Sequence, residues 1–115
     1  MNLTPQINLD YLERTFDSDK IIIHKILNSF IDNTPQLIKD LSEHISQGNK
    51  EDVIMIAHKM KTSFNTLGAT EVGTLLSKIE LEAASSNVQS LSNMVEKVKE
   101  LNEQVLKEVK EELNK

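Results

Sequence analysis

The stretch KEDVIMIAHKMKTSFNTLGA, residues 50–69, decides the fold prediction because its apolar residues recur at helical spacing. On a wheel that turns about 100° per residue, five of them share a face that we expect to be buried: Val53, Ala57, Met60, Phe64 and Leu67. Asn49 can cap this helix and Gly68 can end it. His58 lies roughly 140° from the centre of the apolar face. The sequence therefore predicts a solvent-exposed histidine near the middle of an amphipathic helix.

The residues before this stretch predict a short helix and then a long one. Asn8 can cap a first helix over the sequence NLDYLERTF. Apolar residues then keep helical spacing from Ile23 to Ile45, and the register is the same on both sides of Pro35. A proline inside a helix costs about 3 kcal/mol, yet a true break would usually lose the register. We therefore predict one helix over residues 18–47, kinked near Asn33.

The residues after Ala69 predict two more amphipathic helices. Thr70 is the expected cap of the first, Ser85 to Asn87 suggest a loop, and the last helix should run from about Val88 to Leu113. No strand pattern competes with these helices. Four amphipathic helices joined by short loops pack best as an antiparallel bundle. We predict an all-α fold, an antiparallel up-down four-helix bundle with a short extra N-terminal helix.

The composition limits the class of protein. A length of 115 residues suits a single domain over residues 1–115. An aromatic content of 3% and a net charge of −5 make nucleic acid an unfavourable partner. The absence of cysteine fits a reducing compartment, and no apolar run is long enough to span a membrane. We expect a soluble, cytoplasmic monomer.

The surroundings of His58 suggest contact with a partner. An exposed imidazole beside a cation and a small apolar rim suits a transient partner that carries a phosphoryl group, because apolar surface drives docking and lysine offsets the incoming charge. A lone exposed histidine is also an ordinary feature of a helix, and the apolar neighbours could instead contact a neighbouring helix. The residues near His58 on the wheel are Ile54, Met55, Lys61, Thr62 and Asn65, and all but Lys61 form the expected docking face.

Other kinds of chemistry have little support in the sequence. There is no glycine-rich phosphate loop, no pair of histidines at helical metal spacing and no cysteine nucleophile. His24 and His44 lie on a different predicted helix from His58. We therefore predict no metal site, no cofactor and no enzymatic activity of the chain's own.

The run AHKMKTSFNTLGA, followed by LLSKIELEA, resembles the histidine phosphotransfer (HPt) domain of bacterial multistep phosphorelays. The resemblance covers nearly the whole chain and implies a four-helix bundle with an exposed histidine midway along one helix. The residues that match the family in type and spacing are Ala57, His58, Lys61, Ser63, Leu67, Gly68 and Ala69, followed by Ile79, Glu80 and Ala83.

The resemblance also implies roles for individual residues. His58 would accept a phosphoryl group from the aspartyl phosphate of a receiver domain and pass it to another receiver. Lys61 would balance the charge of the phosphohistidine, with a weaker contribution from Lys59, which lies roughly 100° away on the wheel. Many members have glycine in place of Thr62, which lets the receiver approach closely. Some have glutamine in place of Glu80, and since an ionised carboxylate cannot donate a hydrogen bond, we expect Glu80 to be a salt-bridge or structural residue.

Three functions are consistent with this pattern. The first is a phosphorelay intermediate that is not itself an enzyme and whose partner is the receiver domain of a response regulator or hybrid kinase. The second is a helical interaction or adaptor bundle in which His58 is exposed without transferring phosphate. The third is the phosphoacceptor domain of a chemotaxis-type kinase, phosphorylated from ATP by a separate kinase domain.

Overall fold

The computed structural model describes residues 5–85 and 87–115, and these residues form helices joined by short connections. The elements are α1 (Leu9–Thr15), α2 (Lys20–Gln47), α3 (Lys50–Thr66), α4 (Thr70–Ser85), a 3-10 turn (Val88–Leu91) and α5 (Ser92–Leu113). Helix α2 packs against α3 and α5, and α4 packs against the same two helices. This arrangement is an antiparallel up-down four-helix bundle, with α1 as the extra N-terminal helix, and it confirms the predicted fold class.

Helix α2 begins two residues later than predicted. Asp17 and Ser18 have φ angles of 53° and 56°, which an α-helix does not accommodate. Asp19 is the cap, and its carboxylate accepts hydrogen bonds at 3.0 and 3.1 Å from two N–H groups of the first turn. The predicted start at Ser18 is therefore wrong. The helix continues through Pro35, as the unbroken register indicates.

Asn49 has the predicted cap position of α3 without the side-chain bond, and the predicted cap Thr70 lies inside α4. The side chain of Asn49 makes no capping bond to α3. Its amide instead contacts His44 Nδ1 at 3.1 Å and donates to Gln47 Oε1 at 2.9 Å, at the end of α2. Thr70 is itself the first residue of α4, since the carbonyl of Ala69 already accepts a bond from the first turn of that helix.

The last helix has a different beginning from the predicted one. Residues Val88–Leu91 form a 3-10 turn, and the α-helix starts at Ser92 instead of Val88. The side chain of Asn87 caps the 3-10 turn by accepting the N–H of Gln89 at 3.0 Å. Of the predicted loop at residues 85–87, Ser86 lies outside the described residues.

The apolar face of α3 lies at the centre of the core. The five residues predicted to be buried are each 0% exposed: Val53, Ala57, Met60, Phe64 and Leu67. The rings of Phe30 in α2 and Phe64 in α3 meet edge to face, with centroids 5.0 Å apart. Two polar residues, Thr34 and Asn102, are also buried within this apolar interior. None of the described helices combines the length and the apolar character needed to cross a membrane.

The segment before α1 is tied to one end of the bundle. The carboxylate of Glu108 in α5 accepts the backbone N–H groups of Gln6 and Ile7, each at 2.9 Å. The backbone N–H of Asn8 donates to the carbonyl of Leu67, just beyond the last residue of α3, at 2.9 Å. These bonds hold α1 over the end of the bundle where α3 and α5 end, so the His58 surface midway along α3 stays open.

Candidate functional site

His58 is the ninth of the 17 residues of α3, and its side chain is 62% exposed. The structure thus confirms the predicted exposure. The imidazole Nδ1 lies 3.1 and 3.3 Å from the two carboxylate oxygens of Glu80, which α4 contributes. Lys61 donates from Nζ to Glu80 Oε1 at 3.0 Å. We call these three side chains the His58 cluster.

The position of each member of the His58 cluster follows from helical geometry and from helix packing. Lys61 follows His58 by three residues, so both side chains lie on the same side of α3. Glu80 reaches them because α4 runs antiparallel to α3 and packs closely against it. Gly73 permits this approach, since a Cβ there would overlap the side-chain oxygen of Asn65. Gly73 was not predicted to have this role, although a glycine inside the helical pattern of α4 was a signal of close packing.

The electrostatics of the His58 cluster fix the form of the imidazole. Desolvation raises the pKa of Glu80, but the hydrogen bonds from Lys61 and His58, the charge of Lys61 and the charge of His58 when its ring is protonated outweigh it and hold that pKa below its usual value. Glu80 is therefore ionised at neutral pH, and an ionised carboxylate only accepts hydrogen bonds. We assign the proton of the neutral imidazole to Nδ1 from this bond. The lone pair then lies on Nε2, which makes Nε2 the nucleophilic atom.

The two apolar residues predicted to flank His58 have different environments. Met55 lies one turn before His58 and is 61% exposed. Ile54 is half-buried and packs against the hydrophobic core. For Ile54 the structure thus favours the alternative that the sequence left open, which is contact with the rest of the bundle. The side chain of Ile54 supports the bundle, and Met55 alone of these two presents a large apolar surface to solvent.

The polar residues of the predicted docking face lie on different sides of His58. Thr62 is exposed, and its hydroxyl donates to the backbone carbonyl of His58 at 3.3 Å. Lys59, expected to contribute weakly to phosphate binding, is also exposed. Asn65 is exposed as a residue, but its side chain lies against Gly73 of α4. The exposed face thus contains Thr62 and Lys59, and Asn65 lies at the contact between α3 and α4.

Two further surface features near the His58 cluster were not predicted. Leu81 follows Glu80 directly and is 72% exposed. A groove of about 310 Å³ lies between α2 and α3, with Thr62 on its wall and the apolar side chains of Phe30 and Leu67 among its lining. Leu81 could have been found from the sequence, because it lies off the buried stripe of α4, which consists of Val72, Leu76, Ile79 and Ala83.

The fold and the cluster together define a helical bundle that holds an exposed histidine midway along a packed helix. The model of the Hpt domain family matches residues 25–113, which include α3, α4 and the whole His58 cluster. The chain belongs to the Hpt domain family, and its general role is histidine phosphotransfer in phosphorelay signalling. Domains of this family are phosphocarriers that interact with receiver domains. No curated protein and no solved structure matched the chain.

Proposed function

We propose that this chain is a phosphorelay intermediate in which Nε2 of His58 accepts a phosphoryl group from a receiver aspartyl phosphate and delivers it to a second receiver. The observation that supports this most strongly is the pairing of an exposed imidazole with Glu80 through Nδ1. That pairing leaves the other ring nitrogen with its lone pair on the exposed side chain. The helix that carries the ring is firmly packed, so the nucleophile has a fixed position.

The chemical step needs no proton to enter or leave the ring. The Nε2 lone pair attacks phosphorus, the bond from phosphorus to the aspartyl oxygen breaks, and the electron pair leaves with the aspartate carboxylate. The ring keeps its Nδ1 proton and gains positive charge, which ionised Glu80 offsets at 3.1 Å. In the reverse step a receiver carboxylate attacks phosphorus, and the electron pair of the N–P bond returns to Nε2. The acidic residues that hold Mg²⁺ in this reaction come from the receiver.

The exposed residues near His58 support a small docking surface for the receiver. Met55 lies one turn before the nucleophile, and Leu81 follows Glu80 on the neighbouring helix. Thr62 lies one turn after His58 and borders the groove between α2 and α3. We define Met55, Thr62 and Leu81 as the docking surface. A small apolar contact of this kind suits a brief encounter, because weak transient complexes bury little area.

The test is phosphoryl exchange with phosphorylated receiver domains from the same genome. We expect the wild-type chain to take up phosphate and the His58→Gln variant to take up none. The matched control is His24→Gln, since His24 is exposed on α2 outside the His58 cluster. Uptake by His58→Gln at the wild-type rate would refute the proposal.

The same assay separates the alternative functions. A phosphoreceiver should load His58, and an ATP-bound kinase domain without a receiver should not. Loading by the kinase alone would make the chain a kinase phosphoacceptor domain. If the chain binds a receiver but no phosphate reaches His58, it is an interaction bundle.

A further inference from the structure

Glu80 is bound in a way that affects the release of phosphate as well as its uptake. Its two carboxylate oxygens bind different side chains. Oε2 lies 3.1 Å from Nδ1 of His58, and Oε1 lies 3.0 Å from Nζ of Lys61. The side chain is only 25% exposed, so solvent screens these contacts incompletely. The carboxylate therefore acts on the ring in both its free and its phosphorylated states.

The charges around Glu80 come from α3. They belong to Lys61 and, when its ring is protonated, to His58, and among the described residues no other element contributes a charge that shifts the titration of Glu80. The residues three and four positions away on α4 itself are uncharged: Leu76, Ser77, Ala83 and Ala84. Glu80 therefore stays ionised beside the ring until the pH falls through its lowered pKa.

The proton on Nδ1 decides how readily phosphohistidine gives up its phosphate. When Nδ1 is protonated, cleavage of the N–P bond returns an electron pair to Nε2 and releases a neutral imidazole. When Nδ1 has lost its proton, the same cleavage would have to release an imidazolate anion, which is a very poor leaving group. An ionised carboxylate at hydrogen-bond distance from Nδ1 favours the protonated, positively charged ring.

We propose that Glu80 keeps the phosphorylated ring of His58 protonated on Nδ1, which makes this chain a rapid phosphoryl donor and a poor long-term store of phosphate. The proposal rests on His58 being the phosphoacceptor. It makes Glu80 a positioning residue that acts through the ring and never touches the phosphoryl group. Lys61 then neutralises the negative charge of Glu80, which would otherwise repel the negatively charged phosphoryl group as it approaches.

The test compares the lifetime of phospho-His58 in the wild-type chain and in the Glu80→Gln variant. Phosphoramidate, a small phosphodonor, loads the ring without any receiver. Glutamine has nearly the same shape and still accepts a hydrogen bond from Nδ1, but it carries no charge. Glu82→Gln is the matched control, because Glu82 is exposed on the same helix two residues away.

The expected result is a difference that grows with pH. Hydrolysis should slow in both chains as rising pH removes the Nδ1 proton, but the wild type should slow at a higher pH, so that at about pH 9 phosphate on Glu80→Gln lasts about tenfold longer. Glu82→Gln should follow the wild type. ¹⁵N resonances of the phosphorylated ring should show that Nδ1 loses its proton at a higher pH in the wild type than in Glu80→Gln.

Two results would overturn the inference. One is a set of superimposable pH profiles for wild type and Glu80→Gln. The other is failure of phosphoramidate to load His58, since a free Nε2 lone pair on an exposed ring must react. A chain that shows the Glu80 effect yet exchanges no phosphate with receivers would refute the proposed relay function and leave this inference standing.

Discussion

At the scale of single residues, Lys61 has a different contact from the one that the sequence suggested. It was expected to balance the phosphohistidine directly, and it instead donates to Glu80 at 3.0 Å. Its side chain is 26% exposed, so it is held in place without being sealed from solvent. Removing it leaves a carboxylate without its main counter-charge at the site that must receive a phosphoryl dianion.

We therefore expect Lys61→Ala to slow phosphoryl uptake by about five- to tenfold, which corresponds to roughly 1 kcal/mol of unbalanced charge near the surface. The fold should be almost unaffected, because a surface pair contributes about 0 to 1 kcal/mol to stability. Rapid-quench measurement of uptake from a phosphoreceiver tests this. Lys59→Ala is the control with the same loss of charge on the exposed side of α3, and equal rates for the two variants would contradict the role given to Lys61.

At the scale of the helix, α3 has a core face and an exposed face proposed for docking. Ile54 packs against the core, and its neighbour Met55 lies on the exposed face. Met55→Glu should weaken receiver binding and leave the melting temperature near wild type, because Met55 is 61% exposed. Ile54→Glu should instead destabilise the bundle by about 2 kcal/mol or more, since it places a charge against the core. Binding titrations and thermal melts on both variants measure these effects. Asn93→Glu on α5 is the control for the added negative charge, and a stable Ile54→Glu variant would disprove the core assignment.

Thr62 tests the same docking surface by shape instead of charge. It is exposed one turn after His58 and lies on the wall of the groove between α2 and α3. We expect Thr62→Trp to block exchange with the receiver, because a large ring would stand between the two proteins. Loading by phosphoramidate should continue at the wild-type rate, since that donor is small. Normal exchange by Thr62→Trp would place the receiver on another side of His58.

At the scale of the whole molecule, Glu108 joins the N-terminal segment to the last helix. Its carboxylate accepts the backbone N–H groups of Gln6 and Ile7 and a bond from the side-chain amide of Gln104. We expect Glu108→Ala to lower the free energy of unfolding by about 1.5 to 3 kcal/mol, the usual contribution of hydrogen bonds to a charged group. Urea unfolding measures this loss, with Glu103→Ala on the exposed face of α5 as the control.

The loss of this tether should leave the chemistry of His58 unchanged. The His58 cluster lies between α3 and α4, whereas Glu108 holds α1 to the end of the bundle. Amide hydrogen exchange should accelerate at Ile7 and Asn8 in Glu108→Ala, while the phosphoryl uptake rate stays at the wild-type value. A variant that keeps its stability but loses uptake would show that α1 and the site are coupled.

The sequence by itself determined the helices, the core face of α3 and the exposure of His58. These properties depend on local periodicity, because a residue's direction on a helix follows from its position along the turn. The predicted end of α2 at Gln47 has the same local cause, since the next residue, Gly48, has a φ of 74°, which glycine accepts without strain. The start of α2 was missed, because the positive φ angles of Asp17 and Ser18 break no pattern of hydrophobicity.

Only the tertiary structure decided which side chains of different helices meet. Glu80 is 22 residues from His58, and their contact depends on the register and the close approach of α3 and α4, which Gly73 permits. Ile54 and Met55 are both apolar, but the neighbouring helices cover Ile54 and leave Met55 exposed. Periodicity could not anticipate the burial of Asn102 either, because a polar residue is placed inside or outside by its neighbours in space. The exposed histidine could therefore be found from the pattern of one helix, whereas the carboxylate that binds its Nδ1 depends on the packing of two helices.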